Sequence, residues 1–198
     1  MRAGCVLIAV ALLGCADGES ADRTAGAPAA AGVVDSVVPM NVALERFTSG
    51  LERPAGLRST ARSRDELVGT MIDAVARNDT TAFEALAVDQ AEFGYLYYPT
   101  TRTAQPPYEL PPSLAWFQMQ ERNRRGVFRM LRDYGGRELV LRGLECAAEP
   151  TVEAENRIWS ECRVSLTRDG EAITPIKLFG AILERDGRYA FLSFANDL

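Results

Sequence analysis

The hydrophobic pattern changes its period after Gly135-Gly136, and this change constrains the fold more than any other sequence feature. Before it, apolar residues recur at helical spacing, whereas from Glu138 onward they alternate with polar residues, as in strands with one buried face. Asp169-Gly170 and Asp186-Gly187 are typical of tight turns between strands. Helices followed by strands predict an α+β fold, in which N-terminal helices pack on a curved four-stranded antiparallel sheet.

The predicted strands follow from the alternation and the two turns. The first begins at Glu138 and the second runs through Ile158 and Leu166, while the third spans about 172–184 and the fourth 189–194. Capping signals at Ser63, Thr81 and Asp89 predict three shorter helices. A long helix is predicted from Ser113 to Tyr134, with one apolar arc. That arc contains Trp116, Phe117, Met119, Val127, Phe128, Met130 and Leu131.

Composition excludes several classes of function. The chain has no histidine, which excludes His-based triads, His general bases and the common metal sites that use imidazole, so we expect no metal site. Its net charge of −5 makes nucleic acid an unexpected partner. We expect no cofactor.

The first fifteen residues predict where in the cell the protein is located. Arg2 precedes an apolar run, Val6–Leu13, that is too short to span a bilayer. Leu12-Leu13-Gly14-Cys15 resembles the lipobox of bacterial lipoproteins, which implies cleavage before Cys15 and lipid attachment to that residue. The alternatives are an ordinary signal peptide or a short membrane anchor with an incidental cysteine.

The predicted organisation is therefore a signal at 1–14, a lipidated cysteine with a flexible tether at 15–37, and one domain at 38–198 with its core at 63–198. The expected location is the bacterial cell envelope, with the membrane as a partner through the lipid. Ala16, which follows the cysteine, favours the periplasmic face of the outer membrane. Cys146 and Cys162 remain in the exported chain, so we expect one disulfide, with two buried free thiols as the alternative.

The stretch IDAVARNDTTAFEALAVDQAEFGYLYYP, residues 72–99, leads from a helix through a polar break into further helical segments. With the long helix and the strands that follow, it resembles nuclear transport factor 2-like (NTF2-like) domains, which include the SnoaL and ketosteroid-isomerase-like proteins. The resemblance covers about residues 63–198 and also extends to bacterial lipoproteins of the same layout. It implies a cone-shaped sheet around a cavity that serves enzymes, ligand-binding proteins or dimers, so fold does not name the function.

Three polar residues, Gln120, Asn123 and Arg124, fall inside the apolar arc of the long helix. One interpretation is a pocket in which Arg124 binds an anionic ligand and the two amides orient it. The commoner alternative is that the helix is irregular near Gly126, so that these residues are solvated. A cluster of tyrosines around the Pro-rich segment 99–112 either forms the mouth of a pocket or, more commonly, pins that loop to the domain. The cluster contains Tyr95, Tyr97, Tyr98 and Tyr108, of which Tyr95 and Tyr98 are the candidate ligand-binding residues.

We therefore expect a lipid-anchored, non-catalytic domain that binds a small ligand or an envelope protein, with no catalytic residue assigned. The alternatives are a His-free isomerase in the same cavity, for which Asp73, Asp89 and Glu92 are the nearest acids, and a structural envelope protein. The sequence also leaves a homodimer open.

Overall fold

The structure is a computed structural model that describes residues 38–198. The predicted signal at 1–14, the lipidation site Cys15 and the tether at 15–37 all lie outside the described residues. Within the described part, no helix has both the length and the apolar character needed to cross a bilayer.

Five α-helices precede the strands in the described part of the chain. They are α1 (Met40–Thr48), α2 (Arg64–Ala76), α3 (Ala82–Leu86), α4 (Gln90–Glu92) and α5 (Pro112–Tyr134). Between α4 and α5 the chain forms a π-helical turn over Phe93–Tyr97 and two 3₁₀ turns over Tyr98–Thr100 and Arg102–Ala104.

Two of the predicted caps are observed. Asp89 and Glu92 form a reciprocal capping box at the start of α4. Ser63 Oγ accepts the backbone N–H of Glu66 at 3.1 Å, which caps α2. The Glu66 carboxylate accepts the N–H of Arg62 at 2.7 Å instead of that of Ser63, so this box is only half formed.

The strands form two antiparallel sheets, with the orders β1-β4-β5 and β2-β3-β6-β7. The α+β class is confirmed, but the prediction of one four-stranded sheet is wrong. The seven strands of the described residues are β1 (Leu139–Glu145), β2 (Thr151–Glu153), β3 (Asn156–Trp159), β4 (Arg163–Arg168), β5 (Glu171–Ile176), β6 (Ala181–Arg185) and β7 (Arg188–Ser193).

Local backbone and burial explain why the predicted strands are divided. The second ends at Trp159 and resumes at Arg163 because Glu161 has a φ of 53°, which an extended strand does not allow. The third is interrupted between β5 and β6, where the consecutive residues Leu178 and Phe179 are both buried. Two adjacent buried side chains violate the alternation of a strand, so the chain leaves extended geometry there.

The predicted disulfide between Cys146 and Cys162 is confirmed. Glu145 at the end of β1 pairs with Arg163 at the start of β4, so the two cysteines are the next residues along the ladder. The alternative of two free thiols is excluded.

Two hydrophobic cores hold these elements together. The first packs α2 against Phe179, Phe191 and Phe194, and the second packs residues 93–98 against β6 and β7. Both cores lie entirely within Met40–Leu198, and Val38–Leu198 is one compact unit. We therefore expect residues 38–198 to fold without the residues that precede them.

The centre of the buried face of α5 carries polar and small residues. Asn123, Gly126 and Met130 are buried there, because the backbone after β7 crosses the helix at this point. Asn123 Oδ1 accepts the N–H of Phe194 at 2.8 Å, and Asn196 Nδ2 donates to the Gly126 carbonyl at 2.8 Å. The helix runs unbroken through Gly126.

Candidate functional site

The segment between α4 and α5 is held at its start by a buried carboxylate. Glu92 is 1% exposed, and its Oε2 accepts the N–H of Asp89 at 2.9 Å. Its Oε1 accepts the N–H of Arg58. Burial raises the pKa of Glu92, an effect that these two backbone hydrogen bonds oppose. Glu92 is therefore a structural anchor for the turn that follows.

The π-helical turn then directs several aromatic side chains into one region. Phe93 and Tyr98 are buried, and Tyr97 is half-buried. Tyr98 donates its hydroxyl proton to the Leu110 carbonyl at 2.5 Å, which ties the beginning of the Pro-rich segment to its end. A π-helical turn inserts one extra residue into a helical segment, and such turns often occur at functional sites.

From the sheet side, Asn156 and Arg185 hold the same segment. Asn156 is fully buried and donates from Nδ2 to the Leu96 carbonyl at 2.8 Å and to Thr100 Oγ1 at 3.0 Å. Arg185 donates to the same carbonyl at 3.3 Å and to Asn156 Oδ1 at 3.1 Å. These hydrogen bonds fix the backbone of the π-helical turn to the sheet.

A cavity of about 260 Å³ lies between this segment, the first half of α5 and the end of β7. We call it the tyrosine cavity. Its apolar wall is formed by Phe93, Leu110, Ala115, Met119 and Leu192, and its polar lining by Tyr97, Tyr98, Thr101, Thr103, Gln118, Arg122 and Ser193.

Most hydroxyl groups of this lining are already used within the protein. Thr101 Oγ1 donates to the Tyr98 carbonyl at 2.9 Å and lies 3.0 Å from Thr103 Oγ1. Tyr97 differs, because among residues 38–198 its hydroxyl has no hydrogen-bond partner. Burial, together with the nearby Glu153 carboxylate, raises the pKa of Tyr97 to about 12. A phenol of ordinary pKa is already protonated at physiological pH, and the raised pKa of Tyr97 leaves it so, which lets the hydroxyl donate its proton to a ligand.

Arg122 supplies positive charge to the cavity. Its side chain is exposed and lines the cavity, and within the described part of the chain it forms no ion pair. Neither an Asp nor a Glu is among the described residues of the lining. An unopposed guanidinium beside an apolar wall is the arrangement that receives a carboxylate attached to a hydrophobic body.

The residues predicted from the apolar arc lie at another place. Gln120, Asn123 and Arg124 line a groove of about 450 Å³ between α3 and α5, which we call the α3–α5 groove. Asn123 is committed to the Phe194 backbone. The Arg124 side chain is 75% exposed and pairs with Glu121 at 2.8 Å. Because its charge is already balanced, Arg124 offers less to an anionic ligand than Arg122, and a ligand role for Gln120 and Arg124 stays a prediction.

The two tyrosines taken from the cluster as candidate ligand-binding residues, Tyr95 and Tyr98, are also separated. Tyr95 directs its hydroxyl to the carbonyls of Thr48 and Leu51, each at 3.3 Å, and thereby pins the end of α1. Tyr98 lines the tyrosine cavity but donates its hydroxyl to Leu110. Tyr98 therefore makes the loop-pinning contact of the simpler interpretation, whereas the Tyr95 hydroxyl holds the end of α1 and not the Pro-rich segment.

Sequence reasoning missed Arg122 because helical spacing places it among the solvated arginines of α5. Gln118 was missed as well, whereas Tyr97 belongs to the predicted tyrosine cluster. The signal that could have found Arg122 is its distance of one helical turn from Gln118 and Met119, which face the same cavity.

Comparison of the chain with protein-family models, curated proteins and solved structures found no match.

Proposed function

We propose that this chain is a lipid-anchored protein of the bacterial cell envelope whose NTF2-like domain binds a small ligand in the tyrosine cavity without catalysing a reaction. The ligand carries a carboxylate on an apolar body. The observation that carries this proposal is Arg122, whose guanidinium forms no ion pair within residues 38–198 and lies at a cavity that also contains an apolar wall and the protonated Tyr97. The envelope location favours the periplasmic face of the outer membrane.

The isomerase alternative is less well supported. It needs a carboxylic acid in the cavity within hydrogen-bond reach of a tyrosine. Glu92 is buried, but its two oxygens accept backbone N–H groups, and Asp89 caps the same turn. Asp73 is exposed on α2. None of the three acids lines the tyrosine cavity, and Glu153, the carboxylate near Tyr97, is not among its lining residues either, which favours binding over proton transfer.

We expect replacement of Arg122 by alanine to weaken carboxylate binding by about 10- to 100-fold, because a charged hydrogen-bonded contact is lost. The measurement is isothermal titration with short aliphatic and aromatic monocarboxylates, such as benzoate, against their uncharged primary amides, such as benzamide. The wild-type protein should prefer the acid of each pair.

Arg124→Ala is the matched control, because it removes the same charge two residues away on the same helix while leaving the tyrosine cavity intact. It should bind the carboxylates as the wild type does. Equal losses in both variants would indicate a general electrostatic effect. Loss in Arg124→Ala alone would move the site to the α3–α5 groove.

The lipid anchor has its own test. Cells that express the full chain are supplied with an alkyne analogue of palmitate, and the protein is examined for the attached label. We expect the label in the wild type and in Cys5→Ser, whose cysteine lies inside the predicted signal, and its complete loss in Cys15→Ser. Labelling of Cys15→Ser would contradict the proposed anchor.

A further inference from the structure

One face of α5 is exposed although it carries large apolar side chains. Phe117 and Phe128 are 61% and 67% exposed, and Leu114 is also exposed. The predicted apolar arc placed both phenylalanines toward the core, which is wrong, because Asn123 and Gly126 occupy the centre of the buried face. Neither phenylalanine is needed to fill the hydrophobic cores.

Arginines share this face with the apolar rings. Positions 114, 117, 121, 128 and 132 are linked by helical spacings of three and four through the adjacent pair 124 and 125, so their side chains form one stripe. We call it the α5 stripe. It contains Leu114, Phe117, Glu121, Arg124, Arg125, Phe128 and Arg132. A shallow hollow of about 390 Å³ lies beside Phe128 and is lined by Arg124, Arg125 and Arg129.

The charge of the α5 stripe is opposite to that of the chain. The stripe itself contains three arginines and Glu121, which gives a formal charge of +2, whereas the whole chain carries −5. Arg124 pairs with Glu121 and Arg132 with its neighbour Asp133, so Arg125 is the arginine of the stripe without an ion pair among residues 38–198. A symmetric contact between two copies that is centred on Arg124 and Arg125 would place arginine against arginine, which like-charge repulsion opposes. The stripe therefore fits a partner that is both negatively charged and able to accept aromatic rings.

We infer that the α5 stripe docks on the surface of a bilayer that contains anionic lipids. Arginine guanidinium groups bind lipid phosphates bidentately, and exposed phenylalanine rings insert at the boundary between headgroups and acyl chains. An ordinary surface helix of a globular protein, which exposes scattered polar residues, would not offer both interactions on one face.

The position of α1 is consistent with docking of the α5 stripe on a membrane. The described chain begins just before α1, which packs against α5 through an edge-to-face contact between Phe47 and Trp116, with ring centroids 6.4 Å apart. Any tether that precedes residue 38 therefore joins the domain at an element adjacent to α5. A lipid anchor would raise the local concentration of the stripe at the membrane. Even a weak contact between the stripe and the same bilayer would then strengthen membrane attachment.

The test uses residues 38–198, which contain both hydrophobic cores and lack every residue of the proposed anchor. The protein is mixed with vesicles of phosphatidylcholine alone or with added phosphatidylglycerol, and the bound fraction is measured by flotation at low and at physiological salt. We expect binding only with phosphatidylglycerol, and weaker binding at higher salt.

Two double variants examine the two chemistries of the stripe. Phe117→Ser with Phe128→Ser removes the rings, and Arg125→Glu with Arg132→Glu reverses two charges. Each should lower vesicle affinity by at least about tenfold. In the charge variant the reason is that each cationic residue near an anionic surface contributes about 1 kcal/mol. In the ring variant the reason is that no phenylalanine remains to insert between the headgroups. The matched controls are Val152→Ser and Arg142→Glu, which make the same kinds of change at exposed positions in β2 and β1 and should bind normally.

Absence of wild-type binding, equal binding to both vesicle types, or normal binding by both double variants would overturn the inference. A dimer in sedimentation velocity that the phenylalanine variant dissociates would assign the stripe to a second copy instead. Because neither lipid on Cys15 nor a bound ligand enters this experiment, its failure leaves the proposed function standing, and failure of the cavity experiment leaves the stripe standing.

Discussion

Replacement of Gly126 by alanine is expected to lower the free energy of unfolding by about 3–5 kcal/mol, because the new methyl group has no space. A Cβ at this position would lie 1.9 Å from the Phe194 carbonyl oxygen, which belongs to the backbone and cannot rotate away. Either α5 or the C-terminal segment must move. The movement would strain the hydrogen bonds from Asn196 to Gly126 and from Phe194 to Asn123.

Gly69→Ala provides the matched control for this experiment. Gly69 is in the interior of α2, and a Cβ there meets nothing within 4 Å. Alanine should stabilise that helix by about 0.5–1 kcal/mol, since glycine costs helices conformational entropy. Both effects are measured by urea unfolding followed by circular dichroism. A Gly126→Ala protein as stable as the wild type would show that the C-terminal segment does not cross α5 as described.

The second large effect is expected at Glu92. Replacement by alanine removes the acceptor for the backbone N–H groups of Arg58 and Asp89 in a buried site. We expect a loss of about 3–5 kcal/mol in unfolding free energy, because each unsatisfied buried donor carries its own desolvation cost. Glu92→Gln should fall between the wild type and Glu92→Ala, since the amide oxygen still accepts one hydrogen bond.

Glu92 also determines the direction in which the free energy of unfolding should change with pH. Burial raises the pKa of Glu92 above its ordinary value of 4.5, so between 4.5 and the raised value the folded protein binds more protons than the unfolded chain. The contribution of Glu92 is therefore fully present below pH 4.5 and declines as pH rises through the folded-state pKa. The stability of the wild type relative to Glu92→Gln should decrease across that window. An increase would contradict the raised pKa.

Local sequence signals predicted much of the fold because their causes are local. The Asp89 capping box, the termination of α5 before Gly135 and the turn at Asp186-Gly187 depend on residues that are neighbours in the chain. The division of the long strands was missed for the opposite reason. It depends on the left-handed backbone at Glu161 and on burial of Leu178 and Phe179, which alternation alone does not reveal.

The orientation of α5 shows how a distant contact overrides a periodic pattern. Its most apolar positions indicate a buried arc through Phe117 and Phe128, yet the backbone of residues 194–196 requires Asn123 and Gly126 at the centre of the interface. The helix is therefore rotated away from its apolar arc. The cause lies about seventy residues further along the chain, beyond the reach of any helical window.

The site residues expected from the sequence overlap only in part with the tyrosine cavity that we propose as the site. The sequence placed polar residues of α5 and the tyrosines near Pro99 among the candidates, and the tyrosine cavity does lie between those two segments. The individual residues differ, because the rotation of α5 brings Arg122 to the cavity and Arg124 to the α3–α5 groove. Residues two positions apart on a helix are separated by about 200°, so Arg122 and Arg124 lie on nearly opposite sides of α5 and cannot face the same cavity.

The central claim is that the tyrosine cavity holds a small anionic ligand through Arg122. The most direct measurement is native mass spectrometry of residues 38–198 after incubation with cell extract and repurification, carried out in parallel for the wild type, Arg122→Ala and Arg124→Ala. We expect one additional small mass on the wild type and on Arg124→Ala, and no such mass on Arg122→Ala. A bare wild-type mass, or a bound mass that survives in Arg122→Ala, would contradict the central claim.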